Sequence, residues 1–248
     1  MSRLRKWAKL FARTPLHPQW LLAGPGKSGR WVGENAKGRV LDIGCADRWI
    51  ERWLGPGCQY VGLDYPATGQ ELYGARPDVF ADASKLPVCT GSVDTVVLLE
   101  VMEHLRYPQD ALHEIARVLR PQGRLILSMP FLYPVHDAPH DYQRLTIHGL
   151  TRDVEAAGLK VDCVQTTLGS AETAGLIASL ALGGMAIQVI GKHRLLAIVM
   201  PFFAMSILFV NLFAWIAGRL LPPWEAITAG YRVLAHNAQD ESRDVASR

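Results

Sequence analysis

The chain has 248 residues and a nearly balanced formal charge of +3, a size that suits one α/β domain with room for an insertion. So small a positive balance leaves no nucleic-acid footprint, and no nucleic-acid partner is expected. The four cysteines, Cys45, Cys58, Cys89 and Cys163, form no CxxC pair; neither a zinc site nor a disulfide scaffold is indicated, and a reducing cytosolic setting is the simplest reading.

Residues 3–13 read RLRKWAKLFAR. Leu4, Trp7, Ala8 and Phe11 recur at helical spacing with cations off the stripe, which predicts a basic amphipathic helix. Such a helix suits a membrane surface or packs on its own domain. No continuous apolar stretch follows it, so a secretory signal is not expected. Residues 14–38 are rich in Pro and Gly and read as loop.

From residue 39 strands and helices alternate. Apolar runs predict strands over 39–43, 60–63, 77–81, 93–99, 123–129 and 159–166, and periodicity predicts helices over 47–54, 108–119 and 146–157, with Gly158 as C-cap. The run at 93–99 has the consecutive apolar residues of a strand covered on both faces. This alternation implies a parallel sheet between two helix layers.

In such a sheet ligands bind beyond the carboxyl ends of the strands, where strand order reverses. The residues placed there are Asp42 to Asp47 after the first strand, Asp64 after the second, Asp82 and Ala83 after the third, and Glu100, Glu103 and His104 after the fourth. Gly44 would let backbone approach a ligand, and Asp64 could accept hydrogen bonds from two ribose hydroxyls. A nicotinamide dehydrogenase would need glycine where Ala46 and Trp49 stand, so that reading weakens.

The series resembles class I S-adenosylmethionine-dependent methyltransferases. The matching stretches are VLDIGCAD at 40–47, YVGLD at 60–64, ADASKLP at 81–87, VDTVVLLEVMEHL at 93–105 and ARVLRPQGRLILSMP at 116–130. Within that superfamily it resembles a bacterial, type 11-like group with an apolar insertion near the C-terminus. Its further motif is carried here by Pro134, His136, Asp141, Tyr142, Arg144 and Thr146. The resemblance implies a Rossmann-like three-layer sandwich: a mostly parallel seven-stranded sheet whose last strand is antiparallel, with an apolar helical hairpin inserted before that strand. It implies S-adenosyl-L-methionine as cofactor. Asp42, Gly44, Cys45 and Ala46 would hold its amino-acid end, Asp64 its ribose, Asp82 and Ala83 its adenine, and Glu100 would lie near the methionine portion. Ala46 departs from the usual second glycine, and alanine is tolerated there if the backbone avoids positive φ. Arg48 replaces a common small residue.

Methyl transfer needs chiefly in-line alignment of a nucleophile. For a hydroxyl nucleophile a general base helps, and the candidates are His104, His136 and His140, with Asp141 orienting one of them. Glu100, Glu103 and His104 could hold a divalent ion, but this spacing is widespread without one, and no metal is expected.

Residues 173–191 carry no charge, and neither do 195–218; the second stretch spans about 36 Å as a helix, more than a hydrocarbon core of about 30 Å. Residues 228–236 read as the last strand of the sheet, so the chain must return to the side it left. Two crossings would put Lys192 and Arg194 outside, against the positive-inside tendency. A hairpin lying in the cytoplasmic leaflet is favoured over two spans, and over an arm buried in a dimer. The expected organisation is an N-terminal helix and loop over 1–38, the core over 39–170, an apolar membrane-associated insertion over 171–222, the final strand within 223–238 and a polar tail over 239–248. The resulting expectation is a methyltransferase at the cytoplasmic face of a membrane, peripheral or two-span. It would act by O-methylation on a small-molecule or lipid-linked acceptor, a lipid-linked sugar or a quinone-like compound. The rival reading is a non-catalytic cofactor-binding or scaffolding protein there.

Overall fold

A computed structural model of the chain describes residues 11, 13–22, 27–69, 74–192 and 198–238. The amphipathic helix expected over 3–13 lies almost wholly outside the described residues, and the polar tail over 239–248 lies wholly outside them.

The strands are β1 (Arg39–Ile43), β2 (Gln59–Asp64), β3 (Val79–Phe80), β4 (Val93–Leu99), β5 (Leu119–Pro130), β6 (Leu159–Thr166) and β7 (Gly230–Asn237). They form one seven-stranded sheet in the order β3-β2-β1-β4-β5-β7-β6. Neighbours from β3 through to β5 run parallel, and the last strand in the chain is the antiparallel one. Val96, Val97 and Leu98 of β4 and Leu125, Ile126 and Leu127 of β5 are fully buried, as in strands whose middles are covered on both faces. After β3 the chain returns to the other side of β1, so the carboxyl ends of β1 and β4 flank a crevice.

The longer helices described in this sheet's unit are α1 (Lys27–Asn35), α2 (Pro108–Val118) and α3 (Ile147–Ala156). Pro108 opens α2 where no backbone N–H is needed. Leu112, Ile115 and Val118 face the core, and Glu114 and Arg117 pair on the outer side. The Thr146 hydroxyl caps α3 by accepting from Gly149 N at 3.2 Å, and Gly158 follows it at φ +85°, as its predicted capping role requires.

The structure differs from the sequence expectation in four places. Residues 47–54 are not an α-helix: turns lead into a single 3-10 turn at Glu51–Trp53. Ala46 at φ 45° and Arg48 at φ 60° break right-handed helical geometry there. Part of the stretch read as loop over 14–38 is α1. Its two glycines weaken helix propensity, but Trp31 and Val32 are buried with Val40, Ile50, Val97 and Ile126, and tertiary packing holds it. A Cβ at Gly29 would overlap the Trp53 indole, which accounts for glycine inside this helix. The third strand shrinks to Val79–Phe80. β5 starts at Leu119 rather than 123, through a register irregularity opposite Val93 and Thr95, with Gln122 at φ 60°.

A second compact unit comprises the described residues of Met1–Pro25 together with Leu132–Pro134 and Thr166–Gly230. It is dominated by α4 (Ser170–Lys192) and α5 (Met200–Leu220). Gly175 lets α4 approach α5, since a Cβ there would overlap that of Ala214. The Ser179 hydroxyl donates to Asn211 Oδ1 at 2.8 Å. Asn211 Nδ2 in turn donates to the carbonyls of Pro15 at 2.7 Å and His17 at 3.0 Å. The asparagine that interrupts the apolar sequence of α5 is therefore a fully buried side chain with its amide satisfied.

Candidate cofactor-binding and active site

A cavity of about 570 Å³ opens at the carboxyl ends of β1, β2 and β4, within the range of small-molecule and cofactor sites. Its floor begins at Gly44, which adopts φ +76° and which a Cβ would drive into the Val101 side chain. Gly44 N and Cys45 N both donate to Leu63 O, at 2.8 and 3.1 Å, drawing the loop after β1 against β2. Asp64, at the end of β2, is 5% exposed. Its Oδ2 accepts from Ala46 N and its Oδ1 from Tyr65 N, each at 2.8 Å. Each oxygen retains a lone pair for a ligand hydroxyl.

Of the eight residues expected to bind cofactor, Gly44, Ala46, Asp64, Asp82, Ala83 and Glu100 line the cavity. Asp42 and Cys45 do not: both side chains are buried behind its wall. Burial pushes the Asp42 carboxyl up to about 7, against the Tyr60 hydroxyl that donates to it. Burial likewise pushes the Cys45 thiol up to about 12, which leaves it an inert core residue. Ala46 takes the positive φ that its side chain disfavours, at 45°. Glu100 at φ 53° and Asp137 at φ 50° share this conformation at the cavity wall, and such strain concentrates at functional sites. Arg48 is braced rather than misplaced: it pairs with Glu51 and Asp78 and lies 4.7 Å over the Tyr60 ring.

Past β4, Ser128 Oγ donates to Glu100 Oε1 at 2.6 Å, and burial raises the Glu100 carboxyl above the usual range. A 3-10 turn at Met102–His104 follows. It is clamped to the 136–144 loop, because Tyr142 N donates to Glu103 O at 2.9 Å and Gln143 Nε2 donates to Met102 O at 2.8 Å. Arg144 grips Asp141 through both oxygens, at 2.5 and 2.7 Å. Against a burial cost, this guanidinium and the His136 amide hold the Asp141 carboxyl down at about 2.

Of the four expected catalytic residues, His104 and His140 line the cavity, whereas His136 and Asp141 stand outside its lining. His136 nonetheless packs edge-on against His104, with ring centroids 4.9 Å apart. Burial lowers the His104 pKa, so its imidazole is neutral near pH 7 and can accept a proton. Glu103 is fully buried, and burial, then the neighbouring Glu100, push its carboxyl up to about 9. Trp49, Tyr65, Arg106 and Tyr107 also line the cavity and were missed by sequence reasoning. Tyr65 directly follows Asp64, and the rule of inspecting residues after each strand could have found it. Trp49 stands where a dehydrogenase has its third glycine, and the structure turns it to the cavity rather than into a helix–strand contact.

Comparison with known proteins agrees with this geometry. Residues 41–127 match a family model described as a methyltransferase domain. A Mycolicibacterium smegmatis protein named "Probable S-adenosylmethionine-dependent methyltransferase" is 33% identical over 148 residues, covering 55% of this chain and 56% of that protein. An Erwinia tasmaniensis protein named ubiquinone biosynthesis O-methyltransferase is 27% identical over 112 residues, covering 40% of this chain and 46% of that one. The chain thus spans about half the length of these curated relatives. Among solved structures, the cyclase SpnF matches with a TM-score of 0.53 at 16% identity, over 94% of this chain and 95% of that chain, a likeness of fold alone. The residues present fit the family's cofactor. Gly44 leaves open the space a Cβ would fill, and the Asp64 and Asp82 carboxylates share one cavity with the neutral wall of Ala83. Residues 41–127 form a methyltransferase domain, similar to those of the class I S-adenosylmethionine-dependent methyltransferases, and this likeness implies S-adenosyl-L-methionine as cofactor.

Proposed function

We propose that the chain transfers a methyl group from S-adenosyl-L-methionine to a hydroxyl oxygen of a membrane-associated or amphiphilic acceptor, a lipid-linked sugar or a quinone-like compound, at the cytoplasmic face of a membrane. The observation that carries the membrane part is that two long apolar helices accompany the methyltransferase core and are little covered. Ser170–Gly191 and Met200–Leu220 have mean hydropathy 1.8 and 1.9, with only 22% and 17% of those stretches buried. Phe202, Phe209 and Phe213 are 70%, 65% and 75% exposed. A core helix of a soluble domain is covered, whereas lipid would cover these side chains. The name of the Erwinia tasmaniensis relative supports a quinone-like acceptor.

The cofactor supplies an activated methyl group on sulfonium, so the protein's task is alignment and proton removal. In this reading Asp64 accepts from the ribose hydroxyls, Asp82 and Ala83 face the adenine, and Glu100 lies toward the methionine portion. Asp42 acts through the loop after β1, from behind the wall. His104 and His140 stand at the cavity as bases, and Asp141 orients His136 behind them. The test is incubation of the protein and S-adenosyl-L-methionine with extracted membrane lipids, followed by mass spectrometry. A product heavier by one methylene unit is expected in the lipid fraction. Cofactor binding without turnover on any extract would favour the non-catalytic scaffold instead.

A further inference from the structure

Behind the cavity wall, one fully buried carboxyl group, that of Glu103, faces two imidazoles. Neither oxygen of Glu103 accepts a hydrogen bond from another residue. The atoms opposite its Oε1 are His104 Nε2 at 3.6 Å and His136 Nε2 at 4.0 Å. One ligand atom from each of the three side chains lies within 4.8 Å of the other two. A buried carboxyl group without a hydrogen-bond partner is costly, and a cation placed among these three groups, displacing the carboxyl proton, removes that cost.

The outer contacts prepare the imidazoles for this. His104 Nδ1 lies 2.8 Å from His140 O, a carbonyl that can only accept, so Nδ1 carries the proton. His136 Nδ1 lies 3.2 Å from Asp141 Oδ2, nearer than Arg144 Nη2 at 3.4 Å, and Asp141 is itself fixed by the paired Arg144 contacts. His104 Nε2 therefore presents its lone pair toward Glu103; His136 Nδ1 accepts from Arg144 Nη2, and an ion at His136 Nε2 would move the ring proton to Nδ1, opposite Asp141 Oδ2 at 3.2 Å. Carboxylate–histidine and carbonyl–histidine pairs of this kind orient metal-bound imidazoles.

We propose that Glu103, His104 and His136 form a binding site for a borderline first-row divalent ion such as Zn²⁺ or Co²⁺. Two imidazole nitrogens and one carboxylate oxygen suit such an ion better than Mg²⁺ or Ca²⁺. Bonds of about 2.0–2.2 Å require the three atoms to draw in to about 3.4 Å of one another, a movement of side-chain size. Three protein ligands leave at least one position open, and His104 lines the cavity, so an acceptor hydroxyl there would have its pKa lowered by the ion; with both its ring nitrogens engaged, His104 would then give up the role of base to His140. That use of the ion rests on the oxygen-methylation reading; the ion site itself does not.

The test therefore reads metal binding without any acceptor. Zn²⁺ is titrated calorimetrically into metal-stripped full-length protein, and Co²⁺ binding is followed by its visible spectrum. One equivalent is expected to bind with a dissociation constant in the micromolar range or below. Glu103→Gln, of the same shape, and His136→Gln are expected to weaken it at least tenfold while S-adenosyl-L-methionine still binds. Asp141→Asn, one shell out, is expected to weaken it about 10- to 100-fold. No binding of either ion by the wild-type protein at 1:1 up to about 100-fold above the micromolar range would overturn the site. So would binding that all three variants retain. A variant that loses cofactor binding as well has misfolded, and the decision then passes to the other two. Turnover that survives metal removal, in a protein that does bind the ion, would sink the role in oxygen methylation and leave the ion site standing.

Discussion

The Tyr60 hydroxyl donates a 2.6 Å hydrogen bond to Asp42 Oδ2 across the adjacent parallel strands β1 and β2. This contact keeps the first acidic residue of the cofactor motif behind the cavity wall, where burial pushes its carboxyl up to about 7. In the unfolded chain the same group titrates near 3.8. Between about pH 4 and pH 7 the folded protein therefore binds more protons than the unfolded one, and stability falls as pH rises through that window. Asp42→Asn should flatten this segment of a plot of melting temperature against pH.

Asp64 both braces the loop after β1 and faces the cavity. Asp64→Ala should abolish cofactor binding, and Asp64→Asn should weaken it by about 10- to 100-fold, the size of one or two charge-assisted hydrogen bonds. Circular dichroism separates this loss from unfolding. By contrast, His140→Ala should spare the affinity and slow transfer. Unchanged affinity in Asp64→Asn would remove the ribose assignment.

Ala46 holds φ 45°, a conformation that disfavours any side chain with a Cβ by about 1–2 kcal/mol. Ala46→Gly relieves that strain but loosens the unfolded chain by up to about 1 kcal/mol. A net gain of up to about 1 kcal/mol is expected, read as a small rise in melting temperature with cofactor affinity kept or improved. A lower melting temperature would mean that the methyl group contributes packing the φ argument neglects.

The Asp141 carboxyl, held down at about 2 by Arg144 and the His136 amide against the cost of burial, supplies stability that is present above its unfolded value near 3.8. That contribution is lost as pH falls through the folded value, so the sensitive window is about pH 4 to pH 2. Asp141→Asn should lose the acid dependence in that window and be less stable at pH 7. An unchanged acid limb of the unfolding profile would count against the Asp141–Arg144 pair as its source.

Carbonate extraction of a cell fraction tests the apolar helices. The proposal expects the protein in the membrane pellet, together with loss of pelleting when Phe202, Phe209 and Phe213 are changed to serine. Recovery in the soluble wash as a dimer would instead assign the exposed face of α5 to a second copy of the chain.

The apolar runs placed β1 and β4 at their observed ends, because a strand covered on both faces leaves an uninterrupted apolar signature; β6, a largely exposed edge strand, also lies where its sequence placed it. Of the eight cofactor residues expected at positions after the strands, six line the cavity, since in this topology those positions share one rim. Other features were decided only in three dimensions. Helix α1 keeps its glycines because the Trp53 indole fills the space of a Cβ at Gly29 and the Trp53 carbonyl that of one at Gly33. The stretch after β1 fails to become a helix because Ala46 and Arg48 take left-handed backbone to meet Asp64, Glu51 and Asp78. Asp42 and Cys45 point away from the cavity their neighbours line, as alternation along a strand and one turn of backbone dictate. Glu103, His104 and His136 become neighbours only through the hydrogen bonds that clamp the 136–144 loop to the turn after β4. Local periodicity records which way a residue faces its own element; which groups meet across thirty residues of chain depends on packing and long-range hydrogen bonds, to which no short stretch of sequence responds.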